Sequence, residues 1–198
     1  MQAKLVKMDR PLKILYFEYI LHGLLQWYRE EAGQNEHNDL SVLKSLKLLF
    51  FVAAAKAKSS APSPLLDDVF DDFVAMPYGH VESEIYDHIR EKNGVLTYYI
   101  IDSRKTSAKG LASVADVAFD KEVLNVGICE QIDESIKYLK YINPHLIMMA
   151  PFDLVNLSHA WYSWQRYYDS GLKYGMKSSK IPVEAIKSED KLFRLQLF

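Results

Sequence analysis

Three polar residues, His80, Glu84 and His88, recur at intervals of four and are the first candidates for chemistry. On a helix, side chains four apart share a face, so neighbouring members could approach a common ion. The outer two would lie roughly 12 Å apart along the axis, so one metal cannot bind both histidines. A structural zinc site needs about four ligands. The spacing therefore favours a polar helix face, and we predict no metal and no cofactor.

A second candidate is His159, which follows Ser158 in an aromatic stretch. No nucleophile, base and orienting acid occur together nearby, so a buried, hydrogen-bonded imidazole is favoured over a catalytic one. The sequence contains no phosphate-binding glycine loop, nucleophile elbow, Cys-x-x-Cys or His-Glu-x-x-His motif. We predict that the protein is not an enzyme. The alternative is a metal- or small-molecule-dependent enzyme that uses the face around His80, Glu84 and His88.

Composition limits the class of protein further. Of 198 residues, 49% are hydrophobic and 13% aromatic, which is enough to build a packed core. The net charge of −2 argues against a dedicated nucleic-acid-binding protein. A single cysteine, Cys129, excludes an intrachain disulfide and favours a reducing compartment. The richest apolar run, 46–55, has about half the length that a membrane span needs. We therefore expect a cytoplasmic protein without membrane association.

Basic side chains are concentrated in two polar loops. One contains Arg104, Lys105 and Lys109, and the other covers 173–180. Such loops could contact DNA phosphates, as an autoregulating repressor would, and such binding would weaken with added salt. DNA binding is the weakest of the functional hypotheses.

Apolar periodicity predicts a mainly α fold with a small β element, folded as a compact single-domain helical bundle. Residues 1–10 form a short basic leader, and residues 11–198 form the domain. Helices are predicted at 11–31, from residue 41 to 57, at 65–75, 81–90 and 126–141, and after Pro151 and Pro182. The β-branched and aromatic run 95–101 predicts a strand, with a hairpin possible up to residue 119. The segment 94–125 is predicted to be a variable insertion.

Two local predictions concern the middle of the chain. Pro77 fixes φ and Gly79 can take a positive φ, so the stretch 76–79 predicts a sharp corner between two helices. Before it, aspartates occupy positions 67, 68, 71 and 72, and they are predicted to form a solvated helix face.

Several landmarks also occur in an order typical of a known family. The first is Lys47-Leu48-Leu49 within an apolar helix, and the second is Tyr78-Gly79-His80-Val81 followed by Tyr86. Ser158-His159 and Trp164 come later, and Ile181-Pro182-Val183 opens a closing helix. Over about residues 12–193 the chain resembles the Panacea domain family, which includes SocA-like antitoxins and phage-associated GepA-type proteins. That family usually has proline where this chain has His80.

The resemblance implies a helical interaction domain of a toxin–antitoxin system. Such a protein neutralises its toxin by direct contact, and its partner is a cognate toxin encoded in the adjacent gene, with delivery to a protease as a possible further step. No catalytic residues are implied. Tyr78, His80, Glu84 and His88 are the predicted partner-binding residues.

Overall fold

A long N-terminal helix, α1, forms one wall of the molecule. The computed structural model describes residues 8–33, 37–111, 113–120 and 122–194, and α1 spans Arg10–Ala32. Pro11 lies in its first turn, where the missing N–H costs nothing. Its inner face buries Tyr16, Phe17 and Trp27 completely or almost completely. The helix predicted over 11–31 is therefore confirmed, whereas most of the predicted leader, residues 1–7, lies outside the described residues.

The central helix, α2, spans Val42–Ala54 and is buried along nearly its whole length. Asp39 and Ser41 are both candidate caps by residue type, and the structure selects Ser41, whose hydroxyl accepts a hydrogen bond from the Lys44 N–H at 3.3 Å. A helix that is apolar all round belongs inside a protein, and α2 indeed packs against elements on several sides.

The middle of the chain forms a β-hairpin where two helices were predicted. A π-helical turn, Leu65–Val69, leads into β1 (Phe73–Met76), which pairs antiparallel with β2 (Gly79–Glu82). Helix α3 (Ser83–Glu91) then begins directly after β2. The predicted helix over 65–75 and the helix–corner–helix joint are therefore wrong, and the helix predicted from residue 81 begins at Ser83.

The reason for the hairpin lies in local chemistry. Val74 faces Val81 across the ladder, and β-branched pairs of this kind suit a pleated surface. A two-residue connection, Pro77-Tyr78, joins the strands, and Gly79 takes a φ of +91° as predicted. Short apolar runs satisfy helical and extended periodicity equally well, so periodicity alone could not separate the two.

A second hairpin follows α3. Strands β3 (Tyr99–Ile101) and β4 (Thr106–Ala108) pair antiparallel, and Val114–Asp116 then forms one turn of 3-10 helix. The prediction of a strand or hairpin between residues 95 and 119 is confirmed.

The C-terminal half is helical and returns to the first sheet. It contains α4 (Val126–Ile142), α5 (Pro151–His159), α6 (Tyr162–Lys173), β5 (Ser179–Lys180) and α7 (Val183–Ser188). Strand β5 pairs with β1 and gives the strand order β2-β1-β5. One hydrophobic cluster extends from Ile14 to Phe193. The predicted fold class, mainly α with a small β element, is confirmed.

Candidate functional site

Side chains from α2 and α5 hold the outer edge of β2. The Lys47 ammonium nitrogen donates a hydrogen bond to the carbonyl of His80. The Ser158 hydroxyl accepts the backbone N–H of His80 at 3.0 Å. An edge strand exposes unpaired backbone groups, and these two side chains satisfy them where a further strand would otherwise pair.

The turn of the same hairpin is held by two aromatic rings. The Trp164 indole N–H donates to the carbonyl of Met76 at 2.8 Å, and the His159 Nε2–H donates to that of Pro77 at 3.1 Å. The two rings stack with centroids 3.7 Å apart. The landmarks of the family resemblance, far apart in sequence, therefore meet around one hairpin. Leu48, Leu49 and Val81 lie in the adjoining core.

Gly79 makes this close approach possible. A Cβ atom there would lie 2.5 Å from Ser158 Oγ and 3.2 Å from Lys47 Nζ. Positive φ costs a residue with a side chain about 1–3 kcal/mol, and overpacking adds a similar amount. We expect Gly79→Ala to lower the free energy of unfolding by about 3 kcal/mol, measured by urea denaturation.

Gly110 is the matched control, because it also has a positive φ of +70°, but no atom of the residues that the structure describes lies within 4 Å of its would-be Cβ. Gly110→Ala should therefore cost only the backbone strain. Equal losses in the two variants would show that Ser158 and Lys47 do not crowd Gly79.

The ring of His80 lies inside the protein between two serines. Its Nδ1 is 2.9 Å from Ser158 Oγ, and its Nε2 is 2.9 Å from Ser163 Oγ. The ring stacks on Phe50 at 3.7 Å between centroids and is fully buried. Burial, reinforced by the nearby Lys47, places the pKa of His80 well below its usual value. His80 is therefore neutral at physiological pH.

The hydrogen bonds around His80 form a chain that ends at a carboxylate. Because the Ser163 hydroxyl donates to Glu189, we infer that its oxygen accepts Nε2–H and that Nδ1 accepts the Ser158 hydroxyl. Glu189 in turn accepts the Ser163 backbone N–H at 2.9 Å and the Ser163 hydroxyl. A serine beside a histidine can act as a nucleophile. Here both side chains are fully buried, and the hydrogen bonds of this chain connect α5, β2, α6 and the segment after α7.

The predicted shared face of His80, Glu84 and His88 does not exist. His80 lies on β2 and is fully buried, whereas Glu84 and His88 lie on α3. His80 therefore has no surface to offer to a metal or a partner. Of the predicted partner-binding residues, Tyr78 is the most exposed, with 57% of its surface accessible.

A buried lysine, Lys13, organises the acidic residues that follow α2. Its ammonium group lies 2.8 Å from Asp71, 2.9 Å from Glu82 and 2.5 Å from Glu84. Burial lowers the pKa of Lys13, but the three carboxylates outweigh it and the net shift is upward. The Glu82 carboxylate also caps α3 by accepting the Ile85 N–H at 2.9 Å.

Three of the four aspartates that were predicted to form a solvated helix face instead form salt bridges with lysines. Asp67 binds Lys187 at 3.0 Å, Asp71 binds Lys13 and Asp72 binds Lys180, whereas Asp68 is exposed. The solvated-face prediction is therefore wrong for three of the four residues, because distant lysines fold onto them.

Outside the hairpin lies an exposed apolar surface. Tyr78 contacts Phe152 edge-on at 6.2 Å between centroids, and 62% of Phe152 is accessible. Beside Tyr78, a groove of about 460 Å³ is lined mainly by apolar side chains from α2, the hairpin and α3: Val42, Leu46, Met76, Pro77, Tyr78 and Tyr86. We call this groove, together with Phe152, the hairpin groove. Clefts of this size and composition bind ligands or partner side chains.

The basic residues of the DNA-binding hypothesis do not form one free surface. Lys109 donates to the carbonyl of Leu96 at 2.9 Å, and Lys180 pairs with Asp72. Arg104, Lys105, Lys173 and Lys177 remain exposed, but they lie on two separate loops.

Sequence reasoning missed Lys13, Ser163 and Glu189. Lys13 lies within the apolar face of α1, and its partners are 58–71 residues away. Only its position among buried residues could have indicated a partner, since a lysine is almost never fully buried unless it is paired.

No protein-family model, no curated protein and no solved structure matches this chain. The structure itself defines a mainly α protein with a hydrophobic core, in which a few buried polar side chains hold the hairpin of β1 and β2. None of the helices in the described residues combines the length and apolar character needed to cross a membrane.

Proposed function

We propose that this chain is an antitoxin-like interaction domain that neutralises a toxic protein by direct binding. The observation that carries the proposal is the hairpin groove, where exposed aromatic side chains border an apolar cleft on a rigid frame. Large exposed aromatic residues are typical of protein-binding surfaces.

The resemblance to Panacea-type antitoxins supports the same function. Its landmarks include Lys47, Gly79, Ser158 and Trp164, which lie together around the hairpin and hold it in place. We call these residues the hairpin frame. A frame of this kind fixes the orientation of Tyr78 without itself contacting a partner. Partner choice would then depend on the surface outside the frame, which can vary while the fold is kept.

The partner is a cytoplasmic toxin encoded in the adjacent gene. The direct test is to express the adjacent gene product alone and together with this chain. We expect growth arrest in the first case, normal growth in the second, and co-purification of the two proteins. A harmless neighbour that does not co-purify would overturn the proposal.

The surface is tested by the double variant Tyr78→Ala, Phe152→Ala. Removing aromatic side chains from the centre of an interface costs at least about 2 kcal/mol, or roughly thirty-fold in affinity. We therefore expect this variant to fold normally and to lose neutralisation of the toxin, measured by growth rescue and titration calorimetry.

Tyr141 provides the control, because 84% of it is exposed and it lines a different groove, beside Arg194. Tyr141→Ala should keep wild-type affinity. If Tyr141→Ala weakens binding and the double variant does not, the interface is not at the hairpin groove.

A further inference from the structure

One rim of the hairpin groove carries positive charge. Ser103 lines the groove, and Arg104 and Lys105 follow it in the exposed loop between β3 and β4. Neither Arg104 nor Lys105 forms a salt bridge with any residue that the structure describes. Their backbone N–H groups donate to the Asp102 carboxylate at 2.6 and 2.9 Å. The loop is therefore fixed, and its two exposed cations outnumber the Asp102 carboxylate, which interacts with both of them.

Two further features add to the positive potential of this rim. The Arg90 guanidinium lies 5.5 Å from the ring centroid of Tyr86, another groove residue. Helix α2 begins at the same rim with no acidic side chain in its first turn, so its N-terminal dipole is not neutralised there. The neighbouring Asp39 is already paired with Lys44 at 2.6 Å.

We propose that the hairpin groove binds an acidic amphipathic segment of the partner protein. One or more large apolar side chains of that segment would enter the groove beside Tyr78. Its carboxylates would lie against the loop that carries Arg104, where bidentate pairing with the guanidinium is available. This inference rests on the proposed function and specifies the partner: an aromatic or aliphatic anchor flanked by Asp or Glu.

The test is selection from a random linear peptide library displayed against the immobilised full chain. We expect the enriched peptides to contain apolar anchors next to acidic residues, and their binding to weaken with added salt. The variant Arg104→Glu, Lys105→Glu should lower the affinity of these peptides by roughly ten-fold or more, because like charges then face each other. The variant Lys173→Glu, Lys177→Glu changes two exposed basic residues that do not line the groove and should leave the affinity unchanged.

Several results would overturn this inference. They are enrichment of neutral or basic peptides, no enrichment, or equal binding to the Arg104→Glu, Lys105→Glu variant and the wild-type chain. A dimer in sedimentation that Tyr78→Ala dissociates would assign the groove to a second copy of this chain instead.

The two proposals can fail separately. If the Arg104→Glu, Lys105→Glu variant neutralises the toxin as well as the wild type does, the proposal of an acidic partner segment is wrong and the antitoxin function stands. If acidic peptides bind as expected but the neighbouring protein is harmless, the antitoxin function is wrong and the groove specificity stands.

Discussion

Lys13→Met is expected to lower the free energy of unfolding by about 3–5 kcal/mol, the usual cost of removing one partner of a buried ion pair. Lys13 and Glu82 have no exposed side-chain surface, and Asp71 and Glu84 complete the cluster. Without the ammonium group, the buried Glu82 carboxylate would lose its nearest opposite charge while its like-charged neighbours remained. Urea denaturation at neutral pH measures this loss.

An exposed pair provides the control. Lys140 and Glu30 are 2.7 Å apart, but both side chains are accessible to solvent. Lys140→Met should therefore cost less than about 1 kcal/mol. The double variant Lys13→Met, Glu82→Gln should recover much of the stability that Lys13→Met loses, because the glutamine keeps an acceptor for the Ile85 N–H and no buried charge remains at that position. If Lys13→Met is as stable as the wild type, the cluster does not hold α1 to the hairpin.

The second large effect concerns pH. Complete burial lowers the pKa of Lys47 from 10.5 to about 7, and its amine donates a hydrogen bond to the carbonyl of His80. Between these two pKa values the unfolded chain binds a proton on Lys47 that the folded chain does not. The free energy of unfolding therefore rises with pH across this window, by about 5 kcal/mol in total for Lys47. Below pH 7 the contribution of Lys47 is constant.

The measurement compares the pH dependence of unfolding in the wild type and in Lys47→Met. Removal of the amine should flatten the rise in stability between about pH 7 and pH 10. Lys58, which is exposed, gives the control, and Lys58→Met should keep the wild-type slope. Parallel curves for the wild type and Lys47→Met would contradict a buried neutral amine.

The helices of this fold follow from local signals. Pro11 at the start of α1 and the Ser41 cap of α2 are both visible in the sequence, and both helices form where these signals predict them. The positive φ of Gly79 was also predictable, since Pro-Tyr-Gly requires a sharp turn.

The hairpin itself was not predictable in the same way. The run from Leu65 to Ala75 has apolar residues at helical spacing, yet tertiary pairing with β2 and β5 makes its last three residues part of a strand. Its strands are four residues long, which is too short for periodicity to identify. Because His80 lies on β2 and not on a helix, its side chain is buried. The polar face that was predicted for His80, Glu84 and His88 therefore does not form.

The residues of the candidate site could likewise be predicted only in part from the sequence. The residues that resemble the family motif were found from the sequence, but their joint role in holding the hairpin needed the fold. The lysine–carboxylate cluster and the Ser163–Glu189 end of the hydrogen-bond chain depend on contacts between distant segments. Local spacing contains no signal for such contacts.

We propose that the side chains holding the hairpin are structural and that the partner binds at the hairpin groove. Amide hydrogen exchange of this chain, alone and with the adjacent gene product, tests it most directly. We predict new protection at residues 42–46, 76–78 and 103–105, with no change at 138–142. Protection at 138–142 and 191–194, with unchanged exchange around Tyr78, would contradict it.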